Sequence, residues 1–149
     1  MVRIASPQLS ISHARPGHPG RRQIRIAYDL VVAPGDALAG RELREVVALV
    51  AVDVHDAAVA PTSAPVLYLA TTVTANEGSH RRVLERELDR VDLDVVADWW
   101  ATNNEGEPVA IAEWLDHLAG SIVLELDGTV LDEARTPVVT GSWGALGPD

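Results

Sequence analysis

Two adjacent tryptophans, Trp99 and Trp100, precede a polar segment that holds Asn103, Asn104 and Glu105. An exposed indole ring can stack on a sugar or on an arginine side chain, and neighbouring amide and carboxylate groups can hydrogen-bond to a ligand. Consecutive residues of a strand point to opposite faces of a sheet. If this segment is extended, Trp99 belongs to the core and Trp100 is left for a ligand or an interface. The candidate contact residues are therefore Trp100, Asn103, Asn104 and Glu105.

Other chemistries are excluded by residues that the chain lacks. There is no Cys, which removes disulfides, thiolate ligands and a Cys nucleophile. There is no Lys, so a Schiff base and a Walker-type phosphate loop are also excluded. The segment "TGSWG" around Ser142 is not the G-x-S-x-G elbow of serine hydrolases, and no two His have zinc-protease spacing. We expect no catalytic residue and no cofactor.

A run of aspartates after residue 90 suggests a calcium site. Asp92 and Asp94 match the first two ligand positions of a calcium loop. Val96 and Ala97 then stand where the loop needs an oxygen ligand and a glycine. The pattern fails, and we expect a solvated strand face and no metal.

The net charge of −10 is unevenly distributed along the chain. Residues 1–90 hold eleven Arg and ten acids, for a net +1, whereas residues 91–149 hold one Arg and twelve acids, for a net −11. Five Arg precede the first acid, and this is a poor footprint for nucleic acid. The basic arm could dock on the acidic region of its own or a neighbouring chain, through Arg15, Arg21 and Arg22, or could be disordered.

Strand patterns dominate the sequence. Residues 23–32 alternate, which places Ile24, Ile26, Tyr28, Leu30 and Val32 on one face. Residues 46–52 are apolar on both faces, as in a central strand, and residues 65–74 are rich in β-branched side chains. The segments "SIVLELDG" and "TPVVTGSWG" predict two further strands.

Two segments are harder to assign. Residues 79–90 fit either a helix capped by Ser79 or a strand, and the alternation that follows favours one long, bulged strand from about 82 to 99. Residues 108–119 predict a short helix, because Pro108 suits a first helical position and Gly120 suits a C-terminal cap.

The sum of these patterns is a mainly β protein. About seven strands and one short helix near residues 108–119 predict an antiparallel β-sandwich, Ig-like or similar, or a partly open barrel. We expect an extended arm or loop over residues 1–22, a single β-rich domain over 23–143 and a flexible tail over 144–149. The sequence has neither a signal-peptide core nor a membrane-length apolar run, which predicts a cytoplasmic protein with no membrane partner.

These features give three hypotheses for function. The first is a non-catalytic structural or protein–protein interaction module, a homo-oligomer or a subunit of a larger assembly, as the charge asymmetry and the lack of catalytic motifs suggest. The second is a carbohydrate or small-molecule binding domain that uses Trp100 and the Asn103–Asn104 loop. The third is a hydrolase of unfamiliar type.

Overall fold

The computed structural model describes residues 1–13, 17, 20–52, 65–93, 100–102, 108–110, 116–141 and 143. Within these ranges the chain forms ten strands and one 3₁₀ turn, over residues Arg90–Leu93. The strands are β1 (Val2–His13), β2 (Arg21–Val32), β3 (Glu42–Ala51), β4 (Leu67–Thr74), β5 (Gly78–Asp89), β6 (Trp100–Thr102), β7 (Pro108–Ala110), β8 (Asp116–Leu126), β9 (Thr129–Arg135) and β10 (Val139–Gly141).

Two antiparallel sheets form a β-sandwich, as the sequence predicted. The three-stranded sheet has the order β1–β2–β5. In the five-stranded sheet, β3 lies between β4 and β8, while β9 and β10 both pair with the other side of β8. The described strands do not close into a barrel. Strands β6 and β7 pair with each other.

The core lies between the two sheets and follows from strand alternation. On β2, the predicted inward row from Ile24 to Val32 is buried. On β3, Leu43, Val47 and Leu49 point inward, and Val50 on the opposite face is buried too. The expectation of a strand buried on both faces is therefore confirmed for β3.

Residues 2–13 of the expected N-terminal arm form strand β1 of the sheet. Val2, Ile4 and Leu9 are buried, but the register with β2 shifts between Ala5 and Gln8. The backbone amide of Ile4 donates to Asp132 Oδ2 of β9 over 2.7 Å. This bond ties the edge strand of one sheet to the other sheet and satisfies a donor that an edge would leave open.

Two boundaries differ from the sequence prediction. Residues 78–89 are a strand, as favoured, but it ends at Asp89, and the 3₁₀ turn that follows buries Leu93 in the core. The prediction of a helix over residues 108–119 is wrong for the residues that the structure describes. Residues 108–110 form strand β7, and residues 116–119 belong to strand β8. Pairing of β8 with β3 prevails over the local helical pattern.

The part of the chain that the structure describes contains no helix long and apolar enough to cross a membrane. The predicted tail over residues 144–149 lies outside the described residues.

Candidate functional site

One carboxylate, Glu45, is completely buried between the sheets. Arg82 donates to it through two bonds of 2.9 Å, from Nε to Oε2 and from Nη2 to Oε1. Thr71 Oγ1 donates to Oε1 over 2.9 Å, and the hydroxyl of Tyr28 donates to Oε2. Tyr28 and Arg82 belong to the three-stranded sheet, whereas Glu45 and Thr71 belong to the five-stranded sheet. The network therefore connects the two layers.

The electrostatics of this network favour a charged, fixed Glu45. Burial by itself would raise the pKa of Glu45, but the hydrogen bonds from Arg82, Tyr28 and Thr71 together hold the pKa below its usual value. Burial, helped by Glu45, raises the pKa of the Tyr28 hydroxyl. A carboxylate with no exposed surface and both oxygens bonded cannot reach a ligand. We assign this network to the stability of the sandwich.

The outer face of the five-stranded sheet carries a different kind of residue. Among the described side chains, the exposed aromatic one is Tyr68 on β4, whose exposed fraction is 56%. Tyr68 lies opposite Ala48 in the register, and the pair of Val46 and Ala70 separates it from the pair of Arg44 and Thr72 on the same face. The small Ala48 cannot cover its large neighbour.

Arg44 links Tyr68 to the next strand. Its Nη2 lies 3.4 Å from the Tyr68 hydroxyl, and its Nη1 lies 3.4 Å from Glu125 Oε2 on β8. Both bonds are long, and more than half of the Arg44 side chain is exposed. Such bonds break easily in favour of a polar ligand.

A groove of about 400 Å³ lies beside Arg44, at the start of β3. Its side chains offer donors and acceptors of both signs, from a guanidinium, hydroxyl groups and carboxylates. The residues that line it are Glu42, Leu43, Arg44, Ala70, Thr71, Thr72, Glu125, Leu126 and Asp127. Tyr68 does not line the groove but contacts Arg44, which does. An open groove with a few placed polar groups and an aromatic ring at its margin can bind a polar organic ligand.

The sequence-predicted contact residues are only partly placed. Trp100 lies in β6, where its backbone pairs with Ala110. Asn103, Asn104 and Glu105 lie outside the described residues, so the proposed ligand site around Trp100 stays a prediction.

The arginines of the expected basic arm have different environments in the structure. Arg21 pairs with Glu87 and Asp89 of β5, with N···O distances of 3.0 and 3.1 Å. Arg22 follows the inward parity of β2, is completely buried, and donates from Nη1 to the carbonyl of Arg21. A completely buried side chain presents no surface to a neighbouring chain, so for Arg22 only docking within its own chain stays a prediction. Arg15 lies outside the described residues.

Tyr68 and Glu45 were not identified from the sequence, although both left a pattern there. Glu45 shares the parity of the apolar Leu43 and Val47. Tyr68 shares the parity of Ala70 and Thr72, the half of its strand with the smaller side chains. Alternation could have identified a buried acid and an outward aromatic, but not their partners on other strands.

The fold and the groove define the chain as a two-sheet β-sandwich with an open polar groove on its larger sheet. No family model and no curated protein matches the sequence. Among solved structures, the chain is similar to a "putative beta-galactosidase" from Bacteroides fragilis, with a TM-score of 0.57 and 11% identity. The match covers 91% of this chain and 17% of that chain, so this chain spans about a sixth of the other protein's length. At this low identity the match shows a shared fold and nothing more.

Two β-glucosidases also match over most of this chain. The enzyme from Kluyveromyces marxianus, in complex with glucose, gives a TM-score of 0.36 at 15% identity, over 94% of this chain and 14% of that chain. β-Glucosidase 3B from Thermotoga neapolitana, in complex with glycerol, gives 0.37 at 10%, over 95% and 17%.

The comparison corrects the leading hypothesis from the sequence. A structural or protein–protein interaction module, as a homo-oligomer or assembly subunit, was expected from the charge asymmetry. The sandwich is instead found within a chain described as a glycosidase. Two described ion pairs join the two parts of the chain that differ in charge, Arg41 with Asp127 and Arg44 with Glu125.

Proposed function

We propose that this chain is a carbohydrate-binding β-sandwich domain of the kind that accompanies a glycoside hydrolase. The observation that carries the proposal is Tyr68, an exposed aromatic ring beside a groove of about 400 Å³ on the outer sheet face. The fold shared with part of the Bacteroides fragilis protein supports it.

The chemistry of a sugar fits this surface. A pyranose ring has an apolar face of C–H groups, which packs on an aromatic ring, and an edge of hydroxyl groups that donate and accept. Tyr68 supplies the ring, while Arg44 and Glu125 supply a donor and an acceptor within reach of it. The groove continues past Thr72, which adds a hydroxyl group.

The proposed domain binds sugar without cleaving it. Acids line the groove at Glu42, Glu125 and Asp127, but Glu125 is engaged by Arg44, and Asp127 lies 3.8 Å from Arg41. A glycosidase needs two carboxyl groups that flank the scissile bond, and here two of the three acids already face an arginine of this chain.

Isothermal titration with β-linked glucose and galactose oligosaccharides tests the proposal. We expect binding by the native chain and about three- to tenfold weaker binding by Tyr68→Ala, since an aromatic contact contributes about 0.5–1.5 kcal/mol. Tyr68→Phe should retain most of the affinity, because the ring remains. Val83→Ala, an exposed position on β5 of the other sheet, is the matched control.

Two results would overturn this function. One is the absence of binding to every oligosaccharide by a folded chain, and the other is equal affinity of Tyr68→Ala and the native chain. Release of reducing sugar during the titration would show that the chain is an enzyme and not a binding domain.

A further inference from the structure

The outer face of the three-stranded sheet contains a second cavity, of about 280 Å³. Its volume is close to the lower end of the roughly 300–1,000 Å³ that is usual for ligand pockets. Residues from β1, β2 and β5 form its floor and sides, and residues near the start of β10 complete it. The lining residues are Gln8, Leu9, Ser10, Arg25, Ala27, Arg81, Pro137 and Val139.

The charge of this cavity is opposite to that of the chain. Among the described residues that line it, the charged ones are Arg25 and Arg81, both cationic, whereas the whole chain carries −10. The register explains the arrangement: Ala27 of β2 lies between Gln8 of β1 and Val83 of β5, with Arg25 two residues before it on the same face. The small Ala27 leaves a depression beside the two long arginine side chains.

The two arginines are held differently. Arg81 is fixed, since Nη2 donates to Gln8 Oε1 over 2.9 Å and Nη1 contacts Asp29 Oδ1 and the carbonyl of Ser6 at 3.3 and 3.4 Å. Arg25 has a looser partner, because its Nε lies 3.6 Å from Glu85 Oε1 and half of each side chain is exposed. Arg25 can therefore turn its guanidinium towards a ligand at little cost.

Part of the lining is apolar. Leu9, Pro137 and Val139 add carbon surface to the same cavity, and Pro137 is exposed. A cavity lined by two cations and by hydrocarbon matches an organic anion better than an inorganic one. We propose that this cavity binds a small organic carboxylate, with the carboxylate on Arg25 and Arg81 and the carbon body against Pro137 and Val139.

Calorimetric titration of the full chain with glucuronate, glucose and inorganic phosphate tests this site. Glucuronate should bind, and its affinity should fall as salt is added, because the contact is ionic and partly exposed. Glucose lacks the carboxylate, so it should bind at least about tenfold more weakly, the loss expected for a charged hydrogen bond. Phosphate keeps the charge but lacks the carbon body, so it should bind more weakly than glucuronate because it buries no apolar surface.

Two variants locate the site by independent means. Arg25→Gln removes the mobile cation, and Ala27→Leu fills the depression without a change of charge. Each should weaken glucuronate binding about tenfold or more, with an unchanged circular dichroism spectrum. Arg86→Gln is the matched control, because this exposed arginine of β5 lines neither the cavity nor the proposed sugar groove, and it should bind glucuronate as the native chain does.

Three results would overturn the inference. Equal affinity for phosphate and glucuronate would mean that the arginines attract any anion. Native affinity in both Arg25→Gln and Ala27→Leu would place the ligand elsewhere. The absence of glucuronate binding at low salt would reject the site.

Discussion

Arg82 on β5 and Glu45 on β3 form a two-point ion pair across the sandwich: Nε lies 2.9 Å from Oε2, and Nη2 lies 2.9 Å from Oε1. The planar guanidinium matches the carboxylate in this geometry, so the pair fixes orientation as well as distance. Because the two residues belong to different sheets, their contact fixes how one layer lies on the other.

Removal of the charge at Glu45 should destabilise the fold strongly. In Glu45→Gln, Arg82 loses its anionic partner while remaining two-thirds buried, and Tyr28 keeps a weaker acceptor. We expect a loss of about 3 kcal/mol in the free energy of unfolding, within the range for a broken buried pair. Urea denaturation measures it.

Glu85→Gln is the matched control for that measurement. Glu85 is exposed on β5, and its Oε1 lies 3.6 Å from Nε of Arg25 on β2. About half of each side chain is in contact with water. Its loss should cost less than about 1 kcal/mol. Equal losses in the two variants would contradict the assigned role of the buried pair.

The same carboxylate should make stability depend on pH in the acid range. The pKa of Glu45 is lowered in the folded chain, so its contribution is fully present above the unfolded pKa, about 4.3, and is lost as pH falls through the folded pKa. The difference in unfolding free energy between the native chain and Glu45→Gln should be constant down to about pH 5 and shrink below about pH 4. A difference that stays constant to the lowest measurable pH would disprove the linkage.

Tyr28 should resist ionisation in the folded protein. Burial is the main cause that raises its pKa, with the hydrogen bond and charge of Glu45 acting in the same direction. Its stabilisation is present below the unfolded pKa of about 10 and is lost as pH rises towards the folded value. The chain has two Tyr, so Tyr68→Phe leaves Tyr28 as the sole tyrosine.

Ultraviolet titration of Tyr68→Phe measures that ionisation directly. Tyrosinate absorbance should appear together with the loss of strand signal in circular dichroism, as the alkaline protein unfolds. Ionisation at ordinary tyrosine pH in a protein that still has its native dichroism would contradict the buried network.

The sequence predicts most of the sandwich where alternation is uninterrupted. Strand β2 alternates over its whole length, and its inward row was assigned correctly. Strand β1 alternates too, but the register shift between Ala5 and Gln8 changes the inward parity from Ile4 to Leu9. Ser6, within that shift, has a left-handed φ of 48°. A bulge of this kind breaks the period of two, and for this reason the sequence pattern predicts an arm over residues that form most of β1.

The site was less predictable because it depends on strands that are distant in the sequence. Arg44, Tyr68 and Glu125 come from β3, β4 and β8, and only the pairing of those strands brings them together. Residue types alone favour the tryptophans, which have the larger aromatic rings. Parity within β4 could have shown that Tyr68 points outward, but not that an arginine stands beside it.

Gly120 was predicted to cap a helix, but it is packed closely in a strand, and this packing can be tested. Gly120 lies in β8, where its amide donates to Thr136 Oγ1 over 2.8 Å. A Cβ at this position would lie 3.0 Å from Thr136 Cγ2 and 3.3 Å from Ile26 Cδ1. The glycine is therefore required by close packing between the sheets, and not by a helix cap.

Gly120→Ala should accordingly lower the free energy of unfolding by about 1–3 kcal/mol, the usual cost of overpacking. Gly20→Ala is the control, since a Cβ there meets no atom within 4 Å and the backbone is not in the left-handed region. It should be neutral or slightly stabilising, because alanine restricts the unfolded chain more than glycine does. Urea denaturation of both variants compares them directly, and a Gly120→Ala protein as stable as Gly20→Ala would show that the sheets can separate at this point without cost.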